Sequence, residues 1–158
     1  MTDANTTQPF FGLEKLYLKD ASYEAPGAPA VFLQDQQPEV GVQISLAHRP
    51  IDPAQGYYES VLTVQVNAKR EDKTLFLVEV HQGGIFRVVG LTGEALERTL
   101  EVTCAYILLP YAREAVSSLL GRGGFPSVQL PHVDFESIYQ QRLQERQQAG
   151  ASSAAQGT

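Results

Sequence analysis

The sequence predicts an α+β fold: an antiparallel sheet from the first half of the chain, with helices from the last third packed on one face. Three observations predict it. Apolar and polar residues alternate at a period of two through residues 40–46 and again through residues 58–69. A charged turn, Arg70-Glu71-Asp72-Lys73, joins the second run to a further β-rich run, the mark of an antiparallel hairpin. From residue 94 onward the apolar spacing changes to three and four, the period of a helix.

Taken in order, residues 1–9 (MTDANTTQP) are expected to form a disordered arm. Residues 10–20 (FFGLEKLYLKD) are rich in β-formers but alternate imperfectly. Pro26, Pro29 and Pro38 make residues 21–38 extended and irregular. Val40, Val42, Ile44 and Leu46 then alternate with Gly41, Gln43 and Ser45, as in a half-buried strand, and residues 47–56 read as a loop. Tyr58, Leu62, Val64, Val66 and Ala68 share the buried face of the next strand, opposite a wet face of Glu59, Thr63, Gln65, Asn67 and Lys69. Residues 74–89 form another strand, in which Gly83-Gly84 is expected to mark a bulge or kink. Leu75 and Leu77 fall on one face of it, and Phe76, Val78 and Val80 on the other. With both faces apolar and helices covering one, a partner subunit is expected on the second.

Glu94 sits where a helix N-terminus favours negative charge, and Leu96, Leu100 and Ile107 continue one stripe. Pro110 is expected to break or kink this helix, or to open a second. Ala112, Ala115, Val116, Leu119 and Leu120 carry the second stripe, which Gly121 and Gly123 stop. Asp134 can cap a last helix with the stripe Phe135, Ile138, Tyr139 and Leu143. Residues 149–158 (AGASSAAQGT) are expected to be a disordered tail, which leaves residues 10–148 as a single domain.

A chain of 158 residues suits one domain. With 12 Lys and Arg against 18 Asp and Glu, the net charge of −6 argues against nucleic acid or an anionic membrane as partner. The single cysteine, Cys104, excludes an intrachain disulfide framework and a multi-cysteine metal site. No run approaches the ~18 apolar residues that direct membrane insertion needs. The polar start, with Asp3, lacks the basic and apolar regions of a signal peptide. The chain therefore reads as soluble and cytoplasmic.

The search for chemistry yields little. His48, His81 and His132 are scattered; Glu79 and His81 could offer two ligands to a metal from one strand face, though a polar patch accounts for them more simply. Cys104 lies in an apolar helical stretch and reads as a small core residue. Neither Gly83-Gly84 nor Gly121-Arg122-Gly123-Gly124 matches a phosphate loop, and there is no nucleophile elbow. Asp20 and Glu24 could act as general acid and base only if burial raised one pKa; a solvated acidic patch is the simpler reading. No cofactor, metal or enzymatic activity is indicated. Phe10, Phe11, Tyr17, Tyr23 and Phe32 cluster in the N-terminal third, as core or as an apolar groove.

Five stretches in order resemble the SecB family of bacterial protein-export chaperones: LYLKDASYEAP at residues 16–26, Gln37-Pro38-Glu39-Val40, FLVEVHQGGIF at residues 76–86, LPYARE at residues 109–114, and Gly124-Phe125-Pro126. The resemblance implies a four-stranded antiparallel sheet with two main helices and a homotetramer built as a dimer of dimers. It implies a cytoplasmic chaperone that holds unfolded precursor proteins translocation-competent without ATP and delivers them to the SecA motor. It assigns SecA contacts to Asp20, Glu24, Leu77 and Glu79. Val78, Val80 and Gln82 fall at the tetramer interface, with a helical dimer–dimer contact in residues 94–121. The client grooves fall on Val40, Val42, Ile44, Val128, Ile138, Tyr139 and Leu143, with Phe11 and Phe32 as aromatic contributors. Gln36 stands where members often carry Trp, and Val78 replaces a common cysteine. Two competitors are a SecB-like chaperone dedicated to an antitoxin, and a small-molecule-binding α+β enzyme using Asp20 and Glu24.

Overall fold

Strands β1 (Phe10–Glu24), β2 (Glu39–Asp52), β3 (Tyr57–Arg70) and β4 (Lys73–Val89) form one antiparallel sheet in the order β1-β4-β3-β2. The computed structural model describes residues 8–35 and 37–155. Gln36 and most of the arm expected at residues 1–9 lie outside the described residues. A crossover with a 3₁₀ turn at Ala30–Leu33 carries the chain from one edge strand to the other. Helix α1 (Gly93–Arg98) leads through a π-helical turn (Thr99–Thr103) into α2 (Cys104–Arg122), and α3 (Phe135–Ala155) follows.

The core lies between α2 and the two central strands. Val64 and Val66 of β3 and Val78, Val80 and Phe86 of β4 are buried beneath Cys104, Leu108, Ala112, Val116 and Leu120. Each such side chain contributes roughly 1.5–3 kcal/mol by leaving water. That burial carries α2 on past Pro110, which costs about 3 kcal/mol in a helix interior. Pro110 and Tyr106, whose carbonyl loses its partner, are both on the solvent side. At the far end Gly124 takes φ +80°, and the Phe125 N–H donates to the Leu120 carbonyl at 3.0 Å, closing the helix. Asp134 caps α3 as its position suggests: Oδ1 accepts the Ser137 N–H at 3.0 Å and Oδ2 the Ser137 hydroxyl at 2.7 Å. Those bonds hold its carboxyl below the usual range.

Several expectations are corrected. Residues 47–52 are strand, because β2 is an edge strand and Pro50 can leave its missing donor on the unpaired side. Gly83 and Gly84 sit in a continuous β3–β4 register; the bulges of the β1–β4 pairing are in β1, between Leu13 and Lys15 and between Leu18 and Asp20. The glycines are there for space, since a Cβ on Gly83 would strike the Tyr17 ring and one on Gly84 the Phe86 ring. Residues 149–155 continue α3, as an alanine-rich stretch can.

Val78, Val80 and Gln82 are placed on the helix-covered side of β4. Phe76, Val78, Val80 and Gln82 share the helix-covered face, where Val78 and Val80 are 0% exposed within a single chain. They floor the protomer's own core and make no second apolar face. Leu75 is the bulged residue at the start of β4, buried close to Val31 of the crossover. Beyond half-buried Leu77 the outer face turns polar with Glu79 and His81. Val80→Lys therefore places an unpaired charge under α2, a cost of several kcal/mol. We expect the variant to lose its folded circular dichroism signal; a folded variant that merely halves its solution mass would contradict this placement.

Candidate functional site

The outer face of the sheet brings the four proposed docking residues together. Residues opposite one another in an antiparallel pair share a face. Asp20 pairs with His81, Ser22 with Glu79 and Glu24 with Leu77, and β3 extends these rows with Thr63, Gln65 and Asn67. Asp20 and Glu24 are exposed; Leu77 and Glu79 are half-buried. His81 Nε2 lies 2.6 Å from Glu79 Oε1, and its Nδ1 lies 3.1 Å from Thr63 Oγ1. Asp20 and Glu24 thus stand on an open surface, unlike an enclosed acid–base pair. Among the described residues there is no group of three or more His, Cys, Asp and Glu fit to hold a metal ion.

Next to these rows lies a buried network that the alternation pattern did not reveal. Glu59 was expected on the wet face; it is on that face but only 5% exposed. The Tyr17 ring lies over Gly83 and its hydroxyl donates to Glu59 Oε2. Lys19 Nζ lies 3.0 and 3.1 Å from the two Glu59 oxygens, and Arg49 Nε donates to Oε1 at 2.8 Å. Burial pushes the Glu59 carboxyl up, but the bonds from Tyr17, Lys19 and Arg49 outweigh it and hold it down at about 2. Burial first, and then the bond to Glu59, push Tyr17 up to about 12. The sequence signal for this network is an aromatic in register with a strand glycine.

The helix side of β2 carries the proposed client groove. Val40, Val42, Ile44 and Leu46 point to that side, opposite buried Ala68, Val66, Val64 and Leu62. The six steps from Val40 to Leu46 span about 20 Å. At one end Phe32 and Phe76 pack on Phe125 at ring separations of 5.1 and 4.9 Å. At the other, Ile44, Leu46, Phe135, Ile138, Tyr139 and Arg142 surround a cleft of about 50 Å³. Its inner wall is Glu101, which the π-helical turn directs inward to Arg142 Nη1 at 3.0 Å and to His48 Nε2 at 3.2 Å.

The groove residues are not equivalent. Ile138 is 46% exposed and Leu143 and Val128 are half-buried, whereas Tyr139 is 1% exposed and belongs to the core. Its hydroxyl has no partner among the described residues, and burial first, then the charges of Glu97, Glu94 and Glu101, raise its pKa. Phe11 of β1 stacks on Phe86 at 5.8 Å, three strands from β2, and the structure does not bring it to the groove. Cys104 is buried and its thiol is pushed up to about 12 by that burial, which suits a packing role.

Residues 4–146 match the family model described as preprotein translocase subunit SecB. A protein-export protein SecB of Dechloromonas aromatica is 53% identical over 144 residues, covering 91% of this chain and 92% of its own. One of Chromobacterium violaceum is 46% identical over 150 residues, covering 95% and 99%. A solved SecB-like chaperone of Mycobacterium tuberculosis, in complex with a ChAD peptide from an antitoxin, superposes with a TM-score of 0.65. It is 17% identical over 78% of this chain and 90% of that one, a likeness of fold.

Two outcomes follow from the burial and charge described. Tyr139→Ala should cost about 3–5 kcal/mol as a core truncation, while Ile138→Ala should stay within about 0.5 kcal/mol; urea unfolding separates them. Equal costs would make Ile138 core as well. Glu59 titrates lower in the folded chain, at about 2, than its unfolded value of 4.5. Its stabilisation is therefore fully present above pH 4.5 and is lost as the pH falls toward 2. Glu59→Gln should be less stable by on the order of 2 kcal/mol at neutral pH, with the difference shrinking across that acid window. A pH-independent difference would remove the carboxylate from the account.

Proposed function

The chain belongs to the SecB family and has that family's chaperone role in protein export; from this premise we propose that it holds unfolded precursor proteins without ATP in the cytoplasm and hands them to SecA. The observation that carries the reading is the division of one sheet into two unlike faces. The helix side offers an apolar strip about 20 Å long on β2, with aromatic rings at one end and Ile138 at the other. Apolar burial is non-directional, so such a strip takes many unfolded sequences and ignores native proteins that expose few apolar segments. The outer face sets Asp20, Glu24 and Glu79 around Leu77, a charged rim about an apolar contact.

A homotetramer, as a dimer of dimers, is supported by apolar surface that α2 leaves uncovered. Phe11, Leu13 and Leu18 of β1 are 37, 40 and 50% exposed beside the core, and Tyr106 and Tyr111 are 42 and 48% exposed on α2. A second copy is the occupant we assign to that surface. Val78, Val80 and Gln82 then act on assembly through the α2 helix they support. No catalysis is assigned: the carboxylates an enzyme would use lie open on the sheet. No described helix is long and apolar enough to cross a membrane.

The defining test is holding activity. The purified chain, without nucleotide, should keep a denatured precursor from aggregating, and should have a solution mass four times that of the protomer. A chain that leaves aggregation unchanged would refute the reading. Ile138→Ser should weaken capture about threefold or more with an unchanged melting temperature; undiminished capture would take Ile138 out of the groove. Glu79→Lys should weaken SecA binding about tenfold, since attraction becomes repulsion, and rising salt should weaken the parent's binding. A variant that binds SecA normally would dismiss the acidic face as the docking site.

A further inference from the structure

We propose that Lys19 and Glu59 are positioning residues for docking: their ion pair pins the bulge that turns Asp20, Ser22 and Glu24 onto the outer face of the sheet. The inference rests on the docking reading above. From Lys15 to Leu18, β1 runs in step with β4. Leu16 lies opposite Gly84 and Leu18 opposite Gln82, both toward the helices, and Tyr17 lies opposite Gly83 on the outer side. Unbroken alternation would put Lys19 opposite His81, and would drive Asp20 and Ser22 to the helix side against buried Val80 and Val78. The acidic face would then not exist.

The extra residue reverses the parity. Asp20 now opposes His81, and Ala21 and Tyr23 turn inward opposite Val80 and Val78. The Tyr23 hydroxyl reaches the carbonyl of Gly123 at 3.4 Å, at the end of α2. Inward packing of Tyr23 requires that some residue be inserted before it, but does not say which. Lys19 makes that choice. A bulge lets two successive side chains leave the same face, and Lys19 leaves with its ammonium on both oxygens of Glu59. Glu59 also accepts from Tyr17, two residues before Lys19, and from Arg49 on β2, three strands from the bulge. The carboxylate is buried, while Asp20 beside Lys19 stays exposed, with its Oδ1 accepting the Ala21 N–H at 3.0 Å.

The sign of the effect separates position from charge. Lys19 is a cation on the border of an acidic face, so removing it strengthens attraction to a basic partner if charge alone counts. If Lys19 sets position, removing it weakens docking. The experiment titrates SecA against the full-length chain and its Lys19→Met, Lys19→Arg and Arg49→Met variants, with client capture and solution mass measured alongside. We expect Lys19→Met to weaken SecA binding about tenfold, Lys19→Arg to restore it, and Arg49→Met, which strips a cation from the same carboxylate without touching the bulge, to stay within about threefold. Amide exchange over residues 18–24 should speed up in Lys19→Met and not in Arg49→Met, a readout that does not depend on docking. Equal or tighter SecA binding by Lys19→Met, or equal exchange in the two variants, overturns the inference. Normal binding by Glu79→Lys overturns the docking reading itself, and this inference with it.

Discussion

One helix cannot cover four strands, and the layout of the molecule follows from that. An α-helix with its side chains is about 10–12 Å wide, while four strands span roughly 14 Å between the outer two and more with their side chains. Helix α2 lies over β3 and β4, where Val64, Val66, Val78 and Val80 are wholly buried. The edge strands keep apolar residues on the same side of the sheet with little over them. On β2 these are Val40, Val42 and Ile44, with α3 reaching only the far end; on β1 they are Phe11, Leu13 and Leu18. An uncovered apolar edge is normally a hazard. A chaperone whose work is to meet apolar chain has a use for one such edge, and the assembly we propose would cover the other.

The sequence made some of this plain. Strict alternation in β2 and β3 located the helix-facing residues correctly, because each buries one face and wets the other. The hairpin turn and the Asp134 cap were legible for the same reason: local chemistry decides them. The bulges of β1 were written there in a form harder to read. Its helix-facing residues are Phe11 and Leu13, then Leu16 and Leu18, then Ala21 and Tyr23. The two steps of three among steps of two mark the extra residues, and make the alternation look imperfect.

Other features needed the third dimension. Phe76, Val78 and Val80 suggested a partner only because Leu75 and Leu77 made the opposite face look apolar; Leu75 is bulged and sheltered near Val31, and beyond Leu77 that face continues with Glu79 and His81. Glu59 belongs by pattern to the wet face, yet Tyr17 covers it across a gap that Gly83 leaves open. Pro110 was expected to break or kink a helix or to open a second, and tertiary burial on the other side of α2 carries the helix past it. In each case a long-range contact outweighed a local preference.

The central claim is that the two faces of this sheet do separate work, capture on the helix side and docking on the outer side. The most direct measurement is the affinity for SecA of the chaperone alone and of the chaperone saturated with an unfolded precursor. The account predicts a ternary complex, with the SecA affinity changed by no more than about threefold, since neither ligand occupies the other's face. Mutual exclusion, with SecA displaced by saturating precursor, would contradict it.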